Sequence, residues 1–445
     1  MMIFVFLLVS IIAGLYVYRT PAACFAFVLC MFALEQWVQS KSSFFVEYPW
    51  LINVAVGGLV LLALIVKRFR GEKLIPAVPV IGWLVVLLYV YALASLSWTP
   101  RSDLALVQWV KGGPLIIVSF LLPLVVRSYS DLIAGQRALL IVGPLTLVLL
   151  VFFGGEWQGR KLILETTGTL SGNQGNPLAI ANCAAYTIIT IVLFNFQRGK
   201  LYWEFFRWFV VVIGLILVIR SGSRGQLMGL FISIFLMIPV GRRIDHPVRF
   251  MSLMVGLGGM VAIFDWVWSE YATGIPRWTE EGAMDSVDDR LEMISILLRY
   301  WWNTPLSWFP GLGNSASFDP TILGFYPHNV IVEILAEEGL VGFALFIAIM
   351  VGTGYSFWHL ARKVRLHQEA ARSPLAILGA IMIFHLILSM KQGSLLGNSI
   401  LFAAAIMISR ISLIERRKAV KEKVLASRRS LLLGANLVGR YFNPR

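Results

Sequence analysis

The sequence predicts an all-α polytopic membrane protein, a bundle of about 12 to 13 transmembrane helices with a large cap loop on its outer face. Three observations carry that prediction. The 445 residues are 58% hydrophobic and only 14% charged, with a mean hydropathy of +0.77, whereas charged residues make up about a quarter of a soluble domain. Apolar runs of 14 or more residues recur along the whole chain, close to the roughly 20 residues that cross a hydrocarbon core. The basic residues gather in alternate loops, the pattern that orients helices in a membrane.

In chain order the spans fall near 2–18, 21–38, 50–66, 76–96, 104–126, 132–153, 177–196, 207–219, 226–240, 250–268, 329–358, 374–390 and 395–413. The first has no charged leader and no small-residue cleavage site, so it is read as a span and not as a removed signal peptide. Of 38 Lys and Arg, 27 fall in the odd-numbered loops and the tail, which puts those on the cytoplasmic side. Chain segments follow: 1–268 the first part of the bundle, 269–327 the cap loop, 328–413 the last helices, and 414–445 a basic tail. From Arg410 to Arg445 the net charge is +8, which suits an anionic inner leaflet and not a nucleic acid. Cys24, Cys30 and Cys183 lie in apolar runs as small hydrophobes, with neither disulfide framework nor zinc spacing. No repeat of 20 to 50 residues is visible, against a repeat-built transporter.

The cap loop holds eight acids against Arg277, Arg290 and Arg299. Its stretch "LEMISILLRYWWNTPLSWFPGLGN" reads as a half-buried amphipathic helix ending in a Pro and Gly turn, with Trp301, Trp302 and Trp308 at the headgroup level.

Ionisable groups at the rim of a membrane bundle raise a functional question, and three places pose it. In "LVIRSGSRGQLMGL" (217–230), Ser221 and Ser223 are N-cap residues, Gly225 permits close approach, and Arg224 with free amide groups forms an anion site of phosphate type. The alternative is that Arg220 and Arg224 snorkel at the interface. In "YPHNVIVEILAEEGLVG" (326–342), Asn329 caps a helix and leaves His328 just before its N-terminus. The dipole there favours neutral imidazole, a form able to accept a proton; an interfacial histidine bonded to a loop carbonyl fits the same letters. His246, His359, His367 and His385 lack such a setting. In "DSVDDRLEM" (285–293), the acids could ligate a divalent metal or Arg290 could bind phosphate, but an exposed acidic turn with local ion pairs is equally compatible. "GLGNSA" (311–316) imitates a dinucleotide fingerprint but follows no strand, and it is set aside.

These residues carry a family resemblance. His328, Asn329, nine residues, Gly339, two residues and Gly342 resemble the H-N-x9-G-x-x-G signature of bacterial O-antigen ligases, O-antigen polymerases and some protein O-oligosaccharyltransferases. "SGSRGQLMGL" is similar to that family's serine, arginine, glycine element, and "DRLEMISILLRYWWNTPLSWFPGLG" to its large periplasmic loop, in the same order. The resemblance implies a glycosyltransferase of the inner membrane, a lipopolysaccharide O-antigen ligase before all. It would pass a glycan from undecaprenyl pyrophosphate to a hydroxyl of lipid A-core on the periplasmic face, using no metal, cofactor or nucleotide sugar. By the same resemblance His328 would activate the acceptor hydroxyl, and Arg224 and Arg290 would hold the leaving pyrophosphate. Arg220 and Arg299 are further candidates, and Ser223, Gly225, Asn329, Gly339 and Gly342 would support them. Polymerisation with the same donor is the nearest alternative; transport of an anionic lipid or solute is the alternative from another class. Such ligases are described with twelve spans, one fewer than the reading above, and the difference falls in the N-terminal half.

Overall fold

Long apolar stretches form helices in hydrocarbon because each backbone group must find its partner within its own segment. The computed structural model describes residues 2–74, 77–154, 156–158, 161–163, 177–196, 201–241, 280–367 and 369–441, with scattered residues between 251 and 270. In order the helices are α1 (Met2–Arg19), α2 (Cys24–Gln39), α3 (Ser43–Glu47), α4 (Trp50–Phe69), α5 (Val80–Ala94), α6 (Ser102–Val125) and α7 (Tyr129–Phe153). A short antiparallel hairpin (Glu156–Gln158 with Lys161–Ile163) precedes α8 (Pro177–Leu193), α9 (Leu201–Arg220) and α10 (Arg224–Gly241). Then come α11 (Glu280–Trp302), α12 (Val330–Glu337), α13 (Gly339–His367), α14 (Glu369–Gln392) and α15 (Ser399–Tyr441). Among the described residues eleven helices are long and apolar enough to cross a membrane, and α8 adds a shorter apolar one. The protein is an all-α polytopic membrane protein. The expected span at 250–268 lies largely outside the described residues.

Packing sorts the loops into two ends. α10 lies along α14, α8 against α9, and α2 against α7. At one end Lys67 Nζ bonds Asp131 (2.9 Å) and Glu72 (3.2 Å), Arg127 donates to the Lys73 carbonyl (2.7 Å), Arg410 donates to the Pro123 carbonyl, and Lys363 bonds Glu415 (2.8 Å). These contacts join α4, α6, α7, α13 and α15 where the basic residues cluster. The other end carries residues 280–338 and the corner between α9 and α10. Between the ends the outward faces remain apolar, as at Phe4, Leu8 and Ile12 on α1 and Val80, Trp83 and Leu87 on α5.

Three expectations need correction here. The segment 329–358 is not one span: α12 stops at Glu337 and α13 starts at Gly339, whose φ of +64° cannot continue a helix. The acids of 285–293 form no turn but belong to α11, and no group of metal-ligating side chains occurs among the described residues. Trp301 does not face outward as an interfacial anchor would. It is 8% exposed and packs with Leu297, Leu312, Ala316, Ile322 and Ala336 in a separate small core, its indole donating to the Ser307 carbonyl at 3.0 Å. Burying each of the leucine and isoleucine side chains contributes about 1.5 to 3 kcal/mol, so the segment is held as a folded unit.

Close helix approach depends on glycine at Gly143 of α7, where a Cβ would lie 3.0 Å from Thr187 Cγ2 of α8 and nearer to its hydroxyl, whereas Gly58 of α4 faces open space. Gly143→Val should force α7 from α8 and destabilise the protein by about 1 to 3 kcal/mol, the usual range for overpacking. Gly58→Val should leave the melting temperature in detergent unchanged; equal melting of the two variants would refute this packing account.

Candidate functional site

His328 takes its position from the start of α12. The Asn329 side chain accepts from the backbone of Ile331 (3.0 Å) and Val332 (3.2 Å), capping the helix as expected, while His328 before it has φ +56°. A left-handed backbone at a non-glycine residue costs of order 1 to 3 kcal/mol and persists where its surroundings enforce it. The Tyr326 ring centroid lies 4.2 Å from the imidazole at 51°, against the side chain of this residue. Burial, and then the positive charge of Arg290, hold the His328 pKa below its usual 6.5.

Arg290 reaches this place because α11 has a sided sequence. At 100° per residue, Arg290, Leu297 and Trp301 share one face, while Arg299 lies half a turn away on the opposite face. Leu297 and Trp301 are buried, Arg290 is half-buried and Arg299 is exposed. Burial lowers the Arg290 pKa, opposed first by Tyr326 and then by Asp289. Arg290 forms no ion pair with Asp288 or Asp289 among the described residues, so the local-pair reading of that stretch does not apply to it. The structure thus brings Arg290 beside His328, with Tyr326 facing both, and sets Arg299 apart.

Behind His328, the strap 309–319 is tied to the end of α12. Leu312 and Gly313 donate to the carbonyls of Ala336 (2.9 Å) and Glu337 (2.8 Å), and Leu340 donates to that of Trp308 (2.8 Å). The Glu337 carboxyl accepts from the amides of Ser315 (2.6 Å) and Ser317 (3.0 Å), and that of Glu338 accepts from the Asn314 side chain (2.9 Å). Asn314 in turn bonds Ser95, Thr99 and Trp109 at the ends of α5 and α6. Burial pushes Glu337 up to about 7 and Glu338 up to about 8. "GLGNSA" is therefore the strap that seats α12. Gly311 (φ +82°) and Gly339 meet there, leaving no room for a Cβ on either. Farther along α12, Glu333 accepts from the Leu395 amide at 3.0 Å, joining α12 to the loop after α14.

At the corner between α9 and α10 the serines divide. Ser221 does not cap α10; its hydroxyl donates to the Val218 carbonyl (2.6 Å) and closes α9, and Gly222 turns the chain with φ +69°. Ser223 occupies the cap position, yet its buried hydroxyl makes no hydrogen bond to a neighbouring group. Arg220 ends α9 and half-buried Arg224 begins α10, on the same end of the bundle as His328. Lys391, in the last turn of α14, lies across Gly225.

Sequence reasoning did not single out Tyr326, the acids Glu333, Glu337 and Glu338, or Lys391. The adjacent acids beside Gly339 in "AEEG" and a lone lysine ending an apolar span on the sparsely basic side were the available signals.

Residues 209–347 match the family model described as O-Antigen ligase, a segment that contains Arg224, Arg290, His328, Asn329, Gly339 and Gly342. The match supports the O-antigen ligase superfamily and, with it, glycosyltransferase activity of the ligase or polymerase type. No curated protein sequence matches the chain.

The raised Glu337 and Glu338 pKa values make the strap sensitive to pH. The folded form binds these protons more tightly than the unfolded chain, whose carboxyls titrate near 4.5. Their contribution is complete below that pH and is lost as pH rises through 7 to 8. The purified protein should melt at a lower temperature at pH 9 than at pH 6, and Glu338→Gln should flatten that dependence.

Proposed function

We propose, from the place of residues 209–347 in the O-antigen ligase superfamily, that this protein transfers a glycan from undecaprenyl pyrophosphate to a hydroxyl of lipid A-core at the periplasmic face of the bacterial inner membrane. The observation that carries the reading is the juxtaposition of half-buried Arg290 with a neutral, backbone-strained His328 at the mouth of α12.

The chemistry follows from the side chains. The acceptor hydroxyl attacks the anomeric carbon of the donor; its proton passes to His328, and the bond from that carbon to the pyrophosphate oxygen breaks. Negative charge grows on the leaving group, so fixed positive charge placed there lowers the barrier. Arg290 supplies it next to the base. Arg224, heading α10 with the positive end of the helix dipole, supplies it from the bundle. Arg220 stands one corner away as a further contributor, and Arg299, on the far face of α11, is removed from this role. Asn329 acts by capping α12 with its side chain, Ser223 stands at the cap position of α10, and Gly225, Gly339 and Gly342 act through the close approaches they permit. Apolar outer faces let a polyprenyl donor arrive from the lipid.

The reading is tested with purified protein, lipid-linked glycan and lipid A-core. His328→Ala should reduce transfer about a hundredfold or more, the usual contribution of a general base, with melting unchanged. Transfer should fall as pH drops through the lowered His328 pKa and level off toward neutrality, because only the unprotonated ring accepts a proton. Arg224→Lys and Arg290→Lys should both be impaired, since a point charge does not replace a planar fork that grips two phosphate oxygens. Parental rates in the histidine variant would remove the base assignment. In cells, loss of the protein should leave uncapped lipid A-core; a single repeat unit on the core would assign polymerisation instead.

A further inference from the structure

We infer that Lys391 is a second cation, beside Arg224, of a diphosphate site at the head of α10. The inference rests on the transfer reading above and names a residue which lies outside the matched segment 209–347.

The geometry at Gly225 carries it. A Cβ built there would lie 2.8 Å from Lys391 Cε and nearer still to Cδ and Nζ, so the lysine runs across the backbone of the first turn of α10. Any side chain at 225 would displace it. The amides of Gln226 and Leu227 bond the Ser223 carbonyl at 3.1 and 3.2 Å, which opens α10 at this turn. A lysine laid on the positive end of a helix dipole, beside an arginine, gathers groups of one sign where an anion is favoured.

A second observation points to a ligand at the same turn. Ser223 is 3% exposed and Gln226 fully buried, yet the Ser223 hydroxyl and both amide atoms of Gln226 have no hydrogen-bond partner. Buried polar atoms are ordinarily bonded, and these belong to the cap position and the first turn that Lys391 crosses. The cations come from two different helices that flank one turn, α10 and α14. A single phosphate would engage the helix head; a diphosphate also extends a second group toward the ammonium. Glu333 keeps the two halves in register, because its bond to Leu395 ties α12, and so His328, to the loop four residues beyond Lys391.

The test uses the full-length protein in detergent, titrated calorimetrically with inorganic pyrophosphate and separately with inorganic phosphate. The parent should bind pyrophosphate the more tightly. Lys391→Met should weaken pyrophosphate binding about tenfold or more, the loss expected for a hydrogen bond to a charged group, with little change for phosphate. Gly225→Ala, which keeps the lysine but pushes it aside, should act in the same direction. Lys391→Met and Gly225→Ala variants that bind pyrophosphate like the parent would overturn the inference, and undiminished transfer by them would leave the transferase reading standing. A parent that binds pyrophosphate no better than phosphate also overturns it; absence of transfer from lipid-linked donor would separately overturn the reading on which it rests.

Discussion

The interruption between α12 and α13 is the constraint on which the rest of the candidate site depends. A helix that stops inside a bundle leaves carbonyl and amide groups that water cannot reach, and each must be bonded or it destabilises the fold. Here the strap 309–319 does so, through Leu312, Gly313 and Leu340 on the backbone and Glu337 and Glu338 on the side chains. The same bonds hold the far end of α12, whose start the Asn329 side chain caps beside His328, and they set where the strap meets α5 and α6. Through the small core around Trp301 they also fix the face of α11 from which Arg290 projects. The position of the histidine relative to the arginine is set by satisfying a helix end.

The two ends of the bundle solve the charge problem differently. Where the basic residues cluster, Lys67, Arg127 and Lys363 meet carboxylates directly, and the resulting pairs pin neighbouring helices. At the active end the buried carboxyls meet backbone amides and an asparagine instead, and burial favours their protonated form. A carboxyl that burial shifts toward its protonated form carries less negative charge to set against nearby cations. That arrangement lets cations and acids stand in the same neighbourhood without cancelling each other.

Much of this was legible in the sequence, and the failures have physical causes. Hydropathy alone located most spans, because a hydrocarbon environment selects composition more strictly than geometry does. The cap of α12 by Asn329 and the place of His328 before it follow from local chemistry, and the structure has both. Hydropathy cannot register a left-handed glycine, so it joined α12 to α13 across Gly339. Nor does it say which partner a tryptophan will find: Trp301 and Trp302 are neighbours in sequence, yet one fills a core and the other is exposed. Glu337, Glu338 and Lys391 were missed for one reason. Each owes its role to a contact across the fold, with Ser315, Asn314 and Gly225, which no local pattern encodes.

α1 is the least integrated helix of the bundle: only 11% of its apolar window is buried, against 72% for α14, and it leans on α4, the turn at 21–23 and Phe45. Among the described residues these are not the elements that α11 and α12 chiefly pack against. Gaining or losing such a helix would change the side of the membrane on which the chain starts while leaving the strap 309–319 and its bonds to α12 in place. The parity of the helix count is thus a property of the periphery of the bundle.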